Sequence, residues 1–368
     1  MFPAVPDFLF SLGAFVVVLG VLVFVHELGH YLAARWRHVH VDVFSIGFGR
    51  AIASWTDKVG TVWKVAWIPL GGYVKLHGQE RPEDVTDEER AKWMPGHTFH
   101  EKSVLSRAIV VAAGPVANFV LAIVLFSALF VTVGRPVTVP VVGEVMADSA
   151  AAHAGLAPGD RIEAIGSTPI VSFADIQRFI AVHPGEHLDL KLHRDGVAMT
   201  LPVLTDSRDG GKVGVLGIRG GQVEYVHLGP AQAVVAGVAQ TWEITAQTFA
   251  SVAQMIGGSR GTEDLGGPLR IAQLSGQVAN LGLASLISFI AVLSVNLGLI
   301  NLFPVPVLDG GHLLFYLVEA IRGRPLPPKA QAVGFRAGLA LLAGLFIFTT
   351  WNDLSHLGMF RWVFGLIG

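Results

Sequence analysis

The chain has 368 residues, of which 52% are hydrophobic and only 15% charged, where a soluble domain carries about 25% charged residues. With a mean hydropathy of +0.56 this excludes a wholly soluble protein, and a formal net charge of -2 offers no generally basic surface for nucleic acid. Cysteine is absent, which excludes disulfides, thiolate zinc sites, iron–sulfur clusters and a cysteine nucleophile. His, Asp and Glu remain as metal ligands.

Phe8–Val25 is uncharged and long enough for a spanning helix. Met1–Asp7 holds no Lys or Arg, so the segment reads as a retained helix rather than a cleavable signal. At its end stands His26-Glu-Leu-Gly-His30. On a helix, residues four apart share a face, so His26 and His30 can bind one metal ion. Glu27 is placed to reach a metal-activated water and take its proton. Ionisable residues at the end of an apolar span are costly and usually functional. Gly29 weakens the helix but allows close approach of another backbone.

A loop with 11 Lys/Arg between Arg35 and Arg107 follows. The excess of basic residues there, and Arg322, Arg324 and Lys329 later, puts both loops in the cytoplasm. Val39–Val43 alternates apolar and polar residues, and Tyr73–Leu76 can pair with it as a membrane-dipping sheet. Its His38 and His40 read as surface strand residues, not ligands. Glu80–Glu89, with six acidic residues, reads as a solvated linker. Ala108–Gly134 is the second uncharged run. Within it, Gly114-Pro-Val-Ala-Asn118 resembles a family motif that lines the region of the site, and it also suits close packing through Gly114 and Ala117; a mixture of the two is expected, without relying on a direct role for Asn118.

Residues 137–226 then change character. Leu188–Leu192 alternates as a half-buried strand, Asp195-Gly196 marks a hairpin, and Ser172-Phe-Ala-Asp175 opens a capped helix with Phe173, Ile176 and Ile180 on one face. With Ala154-Gly-Leu-Ala-Pro-Gly-Asp-Arg-Ile162, this segment resembles a PDZ domain. Such a fold binds an extended peptide at a sheet edge; a spacer or steric plug is the plainer alternative. Ala231–Ile256 carries Glu243 and several Gln and Thr, and reads as an interfacial helix, with a fifth span as the alternative.

Ile271–Leu308 is a third uncharged run, long enough for a span plus irregular backbone. Pro304 and Pro306 cannot continue a regular helix. Non-helical backbone at membrane depth needs protein cover or a wet cavity. Asp309 would sit at such a cavity, where a cation offsets its cost, which makes it the candidate third ligand. Ala337–Asn352 becomes an adequate fourth span if its helix starts near Ala330.

His26-Glu27-x-x-His30 paired with Asn301-x-x-Pro304-x-Pro306-x-x-Asp309-Gly310 resembles the site-2 proteases, zinc intramembrane metalloproteases. Phe44–Gly49 and Ile68–Lys75 resemble the bacterial RseP branch, whose best-known members carry two tandem PDZ domains where this chain has room for one. The resemblance implies Zn²⁺ held by His26, His30 and Asp309, Glu27 as general base, and Asn301 holding the substrate backbone or polarising its carbonyl. It implies single-pass transmembrane substrates such as anti-sigma factors or remnant signal peptides. It also implies a multi-pass protein of the bacterial inner membrane, with its active site towards the cytoplasm and its PDZ domain periplasmic. A substrate tail could dock on that domain.

The expected fold is a polytopic α-helical membrane protein of about four transmembrane helices, with a membrane-associated β-hairpin or sheet and an inserted α/β PDZ domain. Its divisions are 1–34 (first transmembrane helix), 35–103 (cytoplasmic β region and linker), 104–136 (second transmembrane helix) and 137–226 (PDZ domain). Then follow 227–280 (interfacial helix and linker), 281–332 (third transmembrane helix and cytoplasmic segment) and 333–368 (fourth transmembrane helix and tail). The alternatives are a catalytically inactive PDZ-containing adaptor and a zinc transporter. The second span offers a transporter no charged residue for a polar path.

Overall fold

The computed structural model describes residues 5–80, 85–208, 210–259, 261 and 266–356. Much of the acidic linker's centre and the end of the expected tail lie outside these residues. Two compact units emerge: Met1–Ala128 with Ala231–Gly368, and Leu129–Pro230.

In the first unit, α1 (Val5–Trp36) runs without a break through the His–Glu motif. Two long strands follow, β1 (Val41–Thr56) and β2 (Val62–Leu76). Val41 to Ile46 pair with Leu76 back to Gly72, and Ala51 to Thr56 pair with Ala66 back to Val62. The segments expected to pair, 39–43 and 73–76, therefore do so in part. Aromatic packing fixes the sheet to α1: the Phe44 ring lies 5.8 Å from Phe24, 5.9 Å from Tyr31 and 4.3 Å from Trp63. The single turn α2 (Asp87–Arg90) precedes α3 (Val104–Thr132).

The second unit contains β3 (Arg135–Thr138), β4 (Val142–Val145), α4 (Ala150–Ala154), β5 (Arg161–Ile165), β6 (Thr168–Pro169) and α5 (Phe173–Ala181). Then come β7 (His187–Arg194), β8 (Val197–Leu204), β9 (Asp206–Arg208), β10 (Val213–Val215), β11 (Ile218–Gly220) and β12 (Val223–Val226). The main sheet has the order β6-β5-β7-β8, and β3 pairs with β12, β4 with β11 and β9 with β10. Asp195 and Gly196 take φ values of 50° and 81°, the left-handed pair that a tight hairpin turn demands. Ser172 and Asp175 form a reciprocal capping box at the start of α5, whose Phe173, Ile176 and Ile180 are buried against Ile162, Leu190 and Leu192.

The first unit resumes with α6 (Pro230–Ile256), α7 (Pro268–Asn280), α8 (Leu283–Leu302), α9 (Asp309–Arg322) and α10 (Pro328–His356). Among the described residues, four helices are long and apolar enough to cross a membrane: Leu9–Trp36, Val104–Thr132, Leu283–Leu302 and Pro328–Ser355. The third uncharged run is thus divided. Gly282, at φ 105°, breaks the chain between α7 and α8, a conformation that suits only glycine. The first turn of α7 is capped from far away, because the N–H groups of Gly267 and Arg270 donate to the Asp353 carboxylate on α10 at 2.9 and 3.1 Å.

Candidate metal centre

Small residues bring α1 and α3 together beneath the motif. A Cβ on Gly29 would run into the Ala113 carbonyl and Ala117, and one on Gly114 would run into the His30 ring. The freedom of approach expected of Gly29 is used for helix packing. Beyond α8 the backbone turns sharply through residues 303–308. Cβ atoms on Gly310 and Gly311 would collide with the carbonyls of Leu302, Phe303 and Val305, so the turn can fold tightly onto the start of α9 only with glycine there. Val307 adopts φ 100° in this turn. For a β-branched residue that stores about 1–3 kcal/mol of strain, typical of functional sites. At its far end α9 is tied to α3 by Arg107, whose Nη2 donates to Glu319 Oε1 at 2.6 Å.

These constraints aim Asp309 at the motif. Its Oδ2 lies 3.2 Å from His26 Nε2 and 3.5 Å from His30 Nε2, and the two Nε2 atoms are 3.3 Å apart. A tetrahedral ion with ligands at about 2.0–2.1 Å would hold its donor atoms about 3.3 Å from one another. Asp309 Oδ2 is buried and makes no well-formed hydrogen bond, with only the two imidazole nitrogens beside it, an arrangement costly for a bare carboxylate and suited to a cation. Among the described residues, this is the one group of three or more His, Asp or Glu side chains close enough to share a metal. The residues therefore fit zinc.

A cavity of about 1200 Å³ opens at this cluster. Its lining includes Glu27, 8% exposed, as well as Asn301, Tyr73, Val74 and His312. Gly72 of β2 lies so close to α1 that an added Cβ would be 2.8 Å from Val23 and 3.1 Å from Glu27 Cγ. Residues 72–76 pair with β1 on one side, and no partner for their other side is found among the described residues.

The profile of peptidase family M50 matches residues 14–345. This chain belongs to that family, the site-2 proteases. It is 45% identical to the protein named "Putative zinc metalloprotease Atu1380" of Agrobacterium fabrum, over 93% of this chain and 95% of that one. It is 39% identical to metalloprotease MmpA of Caulobacter vibrioides, over 98% of this chain and 99% of that one. It is 34% identical to the regulator of sigma-E protease RseP of Escherichia coli, over 95% of this chain and all of that one. The M50 protein is thus a zinc metalloendopeptidase with four helices suited to a membrane and additional sheet, and the inactive-adaptor alternative loses its footing.

Sequence reasoning missed two features of this M50 site. Asn118 Nδ2 lies 3.1 Å from His26 Nδ1; the Gly114–Asn118 motif points to the region of the site, but the contact with His26 is not legible in it. His312 lines the cavity one turn beyond Asp309. His38, expected on a strand, occupies the turn before β1 at φ 56°. His40 stands 3.9 Å from Asp42, which accepts from His77 Nδ1 at 2.8 Å; none of these joins the metal cluster.

Proposed function

We propose that the protein is an intramembrane endopeptidase that hydrolyses peptide bonds in the transmembrane segments of single-pass membrane proteins. The observation that carries this reading is the shared cavity: the three-donor cluster, Glu27, Asn301 and residues 72–74 of the one-sided strand 72–76 all border it. His26, His30 and Asp309 hold zinc. When bound, the ion supplies Lewis acidity and makes water a nucleophile at neutral pH. Glu27 takes the proton of the attacking water and delivers it to the leaving amine. Asn301, through its amide donor and acceptor, holds the substrate backbone beside the scissile bond.

A transmembrane helix shields its own peptide bonds, so cleavage requires local unwinding. The freed backbone groups need partners inside the bilayer. Strand 72–76 supplies them by accepting the unwound segment as an added strand. By its resemblance to PDZ domains, the unit 129–230 screens substrates outside the membrane, by bulk or by holding a peptide tail. The excess of Lys and Arg in the two loops favours a site towards the cytoplasm and this unit in the periplasm of a bacterial inner membrane, with the seven divisions of the chain as the sequence suggests. The polar residues of α6 suit an interfacial position. Anti-sigma factors and remnant signal peptides are the substrate classes to try first.

The deciding measurement pairs zinc content with cleavage of a transmembrane substrate in proteoliposomes. Glu27→Gln is expected to keep its zinc and lose turnover by at least a factor of about 100, within the range of general-base catalysis. Full activity in that variant would remove Glu27 from the mechanism.

A further inference from the structure

The two histidines of the cluster are oriented by different groups. His30 Nδ1 is 2.9 Å from the Val110 carbonyl. A carbonyl only accepts, so the His30 proton sits on Nδ1 and its Nε2 lone pair faces His26 and Asp309. His26 has no such carbonyl. The group beside its Nδ1 is the Asn118 amide, whose Nδ2 is 3.1 Å away. A donor there favours the tautomer protonated on Nε2, the atom that faces Asp309. A histidine that ligates through Nε2 instead carries its proton on Nδ1 and needs an acceptor beyond it.

Asn118 can provide that acceptor. It is 0% exposed, and its Oδ1 is buried without a hydrogen-bond partner. A half-turn of the amide exchanges Oδ1 and Nδ2. The backbone at this point is held independently of the metal, because Ser294 Oγ on α8 donates to the Asn118 carbonyl at 2.8 Å. Gly298, also on α8, leaves room for Asn118, since a Cβ there would stand 3.3 Å from the Asn118 Cβ. The amide therefore turns on a fixed stem.

We propose that Asn118 is the positioning residue of the metal site: in the loaded protein its Oδ1 accepts the His26 Nδ1–H and locks the imidazole in the tautomer that ligates through Nε2. The same stem lies against α8, the helix that ends with Asn301, so metal site and substrate site share one support. This inference rests on His26 being a zinc ligand, as proposed above.

The test is zinc affinity, measured by competition with a chromophoric chelator on the full chain in detergent. Asn118→Asp, which retains acceptors but no amide donor, is expected to bind zinc nearly as tightly as wild type. Asn118→Leu, which removes the acceptor, is expected to bind about 10–100-fold more weakly, while thermal unfolding of the zinc-free protein shows whether packing is kept. Wild-type affinity in Asn118→Leu, or equal weakening in Asn118→Asp, would overturn the proposal. If Asn118→Leu does not fold, the Asp variant and the ¹⁵N spectrum of labelled histidines decide. The zinc-loaded wild type must show a His26 Nδ1–H, and an unprotonated Nδ1 would refute it. His26→Ala separates the underlying reading: unchanged zinc affinity there would strike at the ligand set itself, whereas a loss there with none in Asn118→Leu would strike only at Asn118.

Discussion

Gly114 on α3 faces the imidazole of His30 on α1 at a separation that leaves no room for a methyl group. The ring is held in that slot by its hydrogen bond to the Val110 carbonyl, one helical turn earlier on α3. Gly114→Ala would therefore push His30 off the position it shares with His26 and Asp309. We expect the variant to fold and to lose at least tenfold in zinc affinity, with activity lost in parallel. Inductively coupled plasma analysis of the purified variant, beside its unfolding curve, checks this. Normal zinc content would mean that the helices separate at little cost.

Zinc should also stabilise the fold, because the donor atoms of buried His26 and of half-buried His30 and Asp309 converge, with Asp309 Oδ2 unsatisfied. A ligand present at a hundred times its dissociation constant contributes about 2.7 kcal/mol. Stripping the metal with a chelator should lower the unfolding temperature of the wild type, and adding zinc back should restore it. Asp309→Ala should show neither response. A chelator-sensitive unfolding temperature in that variant would place the ion elsewhere.

Much of this was legible in the sequence, because apolar runs and a five-residue motif are local signals. The four apolar helices, the Asp195-Gly196 turn and the Ser172 capping box all follow from nearest neighbours. Asp309, far along the chain, was reached first from Pro304 and Pro306, because prolines at membrane depth demand a cavity, and then by the resemblance. What stayed hidden depends on approach in three dimensions. The run 271–308 has no charge to mark its division at Gly282, since any glycine reads alike in an apolar stretch. The Gly114–Asn118 motif pointed to the region of the site, but the contact of Asn118 with His26 stayed hidden because the two lie on different helices. The one-sided pairing of 72–76 required the register of the whole sheet.

Asp353 caps a helix to which it is not adjacent in sequence. It is 4% exposed, and its two oxygens take the Gly267 and Arg270 N–H groups, because the N-cap Gly267 has no side chain to do so. Losing an N-cap costs about 0.5–2 kcal/mol. Asp353→Ala should cost an amount in that range in reversible unfolding and should raise amide exchange at the first turn of α7. Asp353→Asn, which keeps an acceptor, should lose less. Equal exchange in all three proteins would show that water caps the turn instead.

In the second unit, Asp160 is 0% exposed and is gripped by Arg194, with Nε–Oδ1 and Nη2–Oδ2 both at 2.7 Å. Burial pushes this carboxyl up, but the Arg194 guanidinium and the Ala157 N–H outweigh it and hold the carboxyl below its ordinary 3.8. A carboxylate held low in the fold stabilises it fully above the ordinary value, and that stability is lost as pH falls through the folded value. Amide protection in β5 and β7 should therefore persist at pH 3.8 and fail only in stronger acid. Arg194→Met leaves burial unopposed by the guanidinium, so its protection should begin to fail at higher pH than in the wild type. Coincident pH profiles would dismiss the pair as a stabilising element.

If strand 72–76 receives the unwound substrate, removing one of its free N–H groups should remove one backbone hydrogen bond to that substrate. Such a bond contributes about 0.5–1.5 kcal/mol, which is up to roughly tenfold in rate. Proline scanning of 70–76 should find positions where cleavage falls by up to that factor while zinc content is unchanged. Proline in 39–46 should be harsher, because residues 43–46 face both 72–75 and 62–65 and sit inside the sheet. The comparison separates a binding defect from a folding defect. A scan in which every zinc-loaded variant cleaves its bound substrate at the wild-type rate would mean that the unwound segment finds its partners elsewhere in the cavity.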